Sequence, residues 1–333
     1  MRATALALHL AAILAIAGPT AAATHPVNPE GTGLFPDIQS AINACAPGDT
    51  VQLAPGTYRG EGNRDLNFHG VDLVLRGSED AALTLIDGEW DVDMRHGIHF
   101  ESGESPAAIV EGITFFQCFA PYYTIGGGGI LCEGGSSPTL KNLIFRECIA
   151  RSMWDDNPGS GIYSLNSSPL VEDVLFVDCP GMGSGLGAMT ISGESTPVLR
   201  RVSFQRNGMG GLMCWNGARP ILEEVEFSEN WHSGLWVRDP DSLVFTGLSF
   251  RNNLGSGLTC SGGHLTLLES EFYRNGSYRE RGGGLRGFGG TLILDGVTFA
   301  YNEATEAGSA IYLDDMIEAT FNRVLVTHGT GAE

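Results

Sequence analysis

Positive charge is scarce in this sequence. Its 333 residues hold 19 Lys and Arg against 39 Asp and Glu, a formal net charge of −20, and Lys141 is the sole lysine. Such a chain has no basic stripe to track phosphates and would be repelled by nucleic acid or an anionic lipid surface. Charge of either sign is thin, at 17%, while 42% of residues are hydrophobic. That balance excludes a disordered chain. No apolar run after the first 23 residues is long enough to span a membrane. Glycine is plentiful, with 47 residues, but it has no every-third-residue period, which excludes collagen. A phosphate loop ending in Gly-Lys-Ser/Thr and the GGxGxDx calcium nonapeptide are both missing. The seven cysteines are odd in number, so at least one thiol stays unpaired, and their spacing does not suggest a disulfide framework.

The first 23 residues read as an address. Arg2 supplies a positive start, and an apolar run from Ala3 to Ala17 is broken only by Thr4 and His9. Gly18 and Pro19 end it, and Ala21, Ala22 and Ala23 fit the small-x-small cleavage rule. Residues 1–23 are therefore expected to be a signal peptide, and residues 24–333 a mature domain that is secreted, periplasmic or at the cell surface.

Most of the information in the mature domain lies in a repeat. Phe is followed three residues later by Cys or Asn at Phe115/Cys118, Phe145/Cys148, Phe176/Cys179, Phe204/Asn207, Phe227/Asn230, Phe250/Asn253, Phe272/Asn275 and Phe299/Asn302. Val326 stands where a ninth Phe belongs. A Gly-rich phrase comes after each anchor, among them residues 126–130 (GGGGI), 255–258 (GSGL) and 282–285 (GGGL). Aliphatic residues sit two and five positions before most anchors, as Leu143 and Leu140 do before Phe145. Steps of two are strand alternation, and the step of three between them is a corner. No helical period runs through the repeat, so helical solenoids are excluded. Short strands joined by tight corners, one circuit per repeat, predict an all-β parallel β-helix, right-handed by the general rule for parallel crossovers. About ten to twelve coils at ~4.8 Å each would make a rod of roughly 50 Å.

The same reading places six cysteines in ladders. Cys118, Cys148 and Cys179 take the slot that Asn fills in later coils, where stacked amides bond to one another, and a small thiol fills it without such bonds. Cys132, Cys214 and Cys260 are assigned to a second inward slot with Ser164, Thr190 and Val237. Residues 34–45 place Ile38, Ala41, Ile42 and Cys45 on one helical face. They predict an amphipathic helix that, with the first strand, makes an N-terminal cap over residues 34–58. The chain stops at THGTGAE, where another Gly phrase would begin. This suggests a piece of a longer protein whose anchoring or sorting domain is missing.

The order IQSAINACAPGDTVQLAPGTY, VLRG, LIDG, IVEGITF and GGGI…SSPTLKNLIF resembles secreted bacterial right-handed β-helix proteins of the pectin-lyase-like superfamily. The Phe-x-x-Asn and Gly-Gly-aliphatic pair is also similar to polymorphic outer-membrane-protein repeats. The resemblance spans about residues 34–329. It implies the fold more than the function, because this superfold hosts lyases, hydrolases, esterases, adhesins and inert passengers.

Chemistry is expected along the edge where the segments between anchor and Gly phrase emerge. These bring Tyr122, Tyr123, Trp154, Asp155, Asp156, Trp231, Tyr278, Arg279 and Arg281 together, and aromatic rings beside polar groups suit sugars. Asp155 and Asp156 are candidate acids and His232 a candidate base. Motifs of the specific enzyme subfamilies are absent, including the Gly-His-Gly and Arg-Ile-Lys companions of polygalacturonase-like acids. Lys141 reads as an outward filler. Glu101, Glu104 and Glu111 read as solvated surface beside a potential hard-cation site. His96 and His99, near Asp91 and Asp93, lack a full first shell for zinc. No cofactor is implied, though Ca²⁺ could bridge acidic sugars to this acidic chain. The sequence therefore predicts a polysaccharide-binding exported protein, with glycan cleavage unsupported by motif. The rival is a surface adhesin or structural passenger.

Overall fold

The computed structural model describes residues 21–90, 94–120, 126–150, 159–181, 187–277, 281–328 and 330–331. They wind into a parallel β-solenoid with three faces. The leading face runs from Thr24–Val27 and Thr50–Leu53 to Thr291–Asp295 and Glu318–Asn322. The second face carries the Phe anchors, from Gly56–Tyr58 to Thr298–Ala300 and Leu325–Thr327. The third carries the aliphatic residue of each Gly phrase, in nine strands from Ile98–Phe100 to Ile311–Asp314. Neighbouring coils pair parallel and in register, as Phe176 with Phe204 and Leu235 with Leu258 show. Val326 pairs with Phe299, so it takes the ninth anchor position.

The step of three between leading and Phe faces has a backbone cause. In three coils one strand crosses both faces, as Ile109–Phe116, Thr139–Arg146 and Leu170–Val177. Each bends at one residue of positive φ: Gly112 at 67°, Asn142 at 49° and Asp173 at 55°. One left-handed residue turns the chain and adds a position to the alternation, so side chains on both flanks still point inward.

The core is a set of columns. The eight Phe anchors are all buried. Their rings stack with centroids 4.5–5.1 Å apart and planes within 11° of parallel, which matches the coil rise. Beside them runs the amide file. Asn207 Nδ2 donates to Asn230 Oδ1 at 3.0 Å, Asn230 to Asn253 at 2.9 Å, Asn253 to Asn275 at 2.8 Å and Asn275 to Asn302 at 3.0 Å. Each amide also donates to the carbonyl of the preceding coil's Phe, as Asn253 does to Phe227 at 2.9 Å. The cysteines of this slot are not without bonds: Cys148 and Cys179 Sγ reach the same carbonyls, on Phe115 and Phe145, at 3.4 and 3.6 Å. All seven cysteines are free thiols.

Two expectations are corrected. The N-terminal helix is one turn, Ile38–Ile42, rather than the whole of residues 34–45. Asp37 and Ser40 close a capping box at its start, and Ile38, Ala41 and Ile42 are buried. Cys45 lies beyond it, where its thiol donates to Ala41 O at 3.3 Å; burial pushes that thiol up to about 11. The second correction concerns Thr190. Register pairs Ile162 with Met189 and Ser164 with Ile191, so Ile191 fills the inward slot and Thr190 faces outward with Tyr163 and Met213. Met189 and Ile191 are the apolar alternation of that coil, and Ala188 stands in the glycine position before it.

Candidate binding groove on the glycine-phrase face

Strand alternation on the third face gives it two outward columns. The first reads His99, Leu131, Tyr163, Thr190, Met213, Trp236, Thr259, Arg286 and Tyr312. The second includes Ser192, Trp215, Arg238, Ser261, Phe288 and Asp314. Outward positions on a solenoid are ordinarily wet. Here Leu131, Tyr163, Thr190 and Met213 are all buried, whereas Trp236, Thr259, Arg286 and Tyr312 are partly open. Where the column opens lies a groove of about 280 Å³, lined by Met209, Met213, His232, Trp236, Arg286 and Phe288 among others.

The groove combines apolar faces with polar points. The Arg286 guanidinium lies 4.6 Å over the Phe288 ring, an attractive cation–π contact that holds the cation flat against the wall. Ser233 and Thr259 hydroxyls, on adjacent coils, are 2.8 Å apart. Nε1 of Trp236 and of Trp215 is buried without a hydrogen-bond partner among the described residues. An unpaired indole donor costs about 1–3 kcal/mol. No Asp or Glu is among the described residues lining it.

Most of the residues expected at the loop edge lie outside the described residues: Tyr122, Tyr123, Trp154, Asp155, Asp156, Tyr278 and Arg279, with Asp91 and Asp93. His232 lines the groove. Trp231, beside it, is 67% exposed. Arg281 is tied down, donating to Tyr312 Oη at 2.6 Å and to Glu306 at 3.1 Å; these partners raise its already high pKa. Trp236, Met213, Arg286 and Phe288 escaped the sequence reading, which followed the inward columns. The signal available was a tryptophan and a methionine at positions that alternation sends outward.

The acids around residue 100 divide. Glu104 is buried rather than solvated, accepting from Gly70 N at 2.9 Å, Ser102 N at 3.1 Å and Ser136 Oγ at 2.7 Å. It is a strap between three coils and has little capacity left for a cation. Glu111 pairs with Lys141 at 2.7 Å, which confirms the lysine as an outward filler.

A model of the right-handed β-helix region matches residues 128–304, more than half of the chain. The protein belongs to that family, and the solenoid is right-handed. No curated protein matches the sequence. Among solved structures, the A-module of the mannuronan C-5 epimerase AlgE4 of Azotobacter vinelandii is similar with a TM-score of 0.53 at 14% identity, covering 92% of this chain and 100% of that one. The catalytic domain of a GH87 alpha-1,3-glucanase in complex with tetrasaccharides gives 0.55 at 10% identity, over 95% of this chain and 66% of that one. At these identities the likeness is one of fold.

Proposed function

We propose that the protein binds polysaccharide, seating one or two sugar residues in the groove of Met213, Trp236 and Arg286. The observation that carries this reading is a groove of about 280 Å³ lined by Trp236, Phe288 and Arg286 together with Ser233 and Thr259, at the point where a column buried from Leu131 to Met213 opens. Sugar rings offer apolar faces to an indole and hydroxyls to side chains such as Ser233, Thr259 and Arg286. The groove's size sits at the lower end of ligand clefts, which run from about 300 Å³. Solenoid relatives of similar fold that act on glycans, the epimerase and the glucanase, support the assignment. Among the described residues the lining has none of the paired carboxylates that glycoside hydrolysis uses, so the proposal is one of binding. Export by the N-terminal segment belongs to the same proposal.

Retention on a panel of neutral and acidic polysaccharides, with new chain ends followed in parallel, tests it. Binding without new ends, weakened about tenfold or more by Trp236→Ala and unchanged by Gly276→Ala, is the expected result. New chain ends would make the protein an enzyme. Absence of retention on every glycan would return it to the rival reading of a surface passenger.

A further inference from the structure

A second column of the solenoid opens at the same coils as the groove. It lies on the edge just after the Cys/Asn slot. There Gly208 N donates to Cys179 O at 2.8 Å, Trp231 N to Asn207 O at 3.0 Å and Leu254 N to Asn230 O at 2.8 Å. These bonds set Gly208, Trp231 and Leu254 side by side on successive coils. Upstream the column is covered: Phe119 and Ile149, which bridge in parallel, are each 6% exposed. Downstream it is bare, with Trp231 67% and Leu254 57% exposed. The indole's upstream neighbour is a glycine, and a Cβ at Gly208 would collide with the Pro180 carbonyl. The space beside the ring is therefore kept free of a side chain.

Edge and groove form one surface. Trp231 and Trp236 lie on the same coil, and His232 and Ser233, between them in the chain, line the groove. A ligand that leaves the groove over this corner meets Trp231 next. Single exposed apolar residues need no explanation, but an adjoining pair at the rim of a groove marks a contact surface. Trp231 and Leu254 offer that contact no charge, and the chain's net charge of −20 disfavours a polyanion. An indole packs against a ring face made of C–H groups. Glucose in equatorial linkage has every hydroxyl and both linkages in the ring plane, so both of its faces are C–H. Mannose and galactose each put an axial hydroxyl on a face.

We propose that Trp231 and Leu254 form a second sugar subsite, which takes an uncharged, equatorially linked glucose chain as it leaves the groove and crosses the corner at His232. The inference rests on the glycan reading of the groove and names the polymer that reading leaves open.

Titration calorimetry compares cellobiose, short enough for the groove alone, with cellohexaose, long enough to reach the platform. The parent is expected to bind cellohexaose the more tightly. Trp231→Ala weakens cellohexaose tenfold or more and leaves cellobiose as it was, Trp231→Phe keeps most of the affinity, and Trp236→Ala weakens both. Val244→Ala removes an exposed apolar side chain from the leading face and changes neither. The proposal is overturned if Trp231→Ala leaves cellohexaose binding unchanged, if it weakens cellobiose equally, or if Val244→Ala has the same effect. It is also overturned, with the groove reading intact, if mannuronan is retained through Trp236 while neither cello-oligosaccharide binds. If no glycan is retained at all, both readings fall.

Discussion

At the residue scale, two motifs that recur together in the sequence turn out to be one contact. A Cβ built on Gly257 would stand 2.7 Å from Phe272 Cδ1, 2.9 Å from Gly284 O and 3.0 Å from Phe250 Cβ. Gly129 meets Phe145, and Gly284 meets Phe299, in the same way. Where a Gly stands before the aliphatic residue, as in these coils, a stacked Phe ring fills the space a side chain would need. The glycine's φ is unremarkable, so the demand is for space rather than for backbone freedom. Gly257→Ala is expected to destabilise by about 1–3 kcal/mol, as overpacking does. Gly276→Ala, whose nearest neighbour would be 3.8 Å away, is expected to change stability by less than about 0.5 kcal/mol. Urea unfolding of the two variants side by side checks both. Phe, Asn and Gly were legible from sequence because the coils repeat them. Trp236 and Arg286 were not, because the outward column reads Leu131, Tyr163, Thr190, Met213, Trp236 and repeats nothing.

At the scale of the element, the corners determine what the surface carries. Left-handed corner residues at Asp173, with φ 55°, and Arg201, with φ 51°, fall on neighbouring coils. Arg201 Nε reaches Asp173 Oδ1 at 2.6 Å, and its Nη2 reaches Glu172 at 2.7 Å. The Arg201 hydrogen bond holds the Asp173 carboxyl below the usual carboxylate value. A carboxyl depressed in the folded state adds stability above its unfolded pKa, about 3.9, and that stability is lost as pH falls through the folded value. The urea midpoint of the parent is therefore expected to exceed that of Asp173→Asn slightly at pH 6. The gap should close as pH drops from about 4 to about 2, and should narrow in high salt because the pair is exposed. A midpoint-against-pH series for both proteins checks the sign. The corner itself was legible as a step of three. Its partner across coils was not, since Asp173 and Arg201 meet only once the register is known.

At the scale of the whole molecule, the amide file gives the rod a direction. Asn207, Asn230, Asn253 and Asn275 each donate Nδ2 to the amide oxygen of the coil after; from Asn230 onward each Oδ1 takes Nδ2 and the backbone N–H of the coil before, as Asn253 Oδ1 does from both donors of Asn230. A thiol can therefore begin the file but cannot interrupt it without loss. Cys118, Cys148 and Cys179 all lie on the upstream side, and Cys179 N donates into Asn207 Oδ1 at 3.2 Å. Asn253→Cys would take the acceptor from both the Nδ2 and the backbone N–H of Asn230, at about 1–3 kcal/mol for each buried donor left unmade. Asn207→Cys takes it from the Cys179 backbone N–H alone, because no amide side chain precedes it. Equilibrium unfolding is expected to rank Asn253→Cys well below Asn207→Cys, although both replace the same residue in the same slot. The order of residues along the rod thus obeys a syntax: an amide may follow a thiol or another amide, and once the sentence has turned to asparagine it cannot turn back.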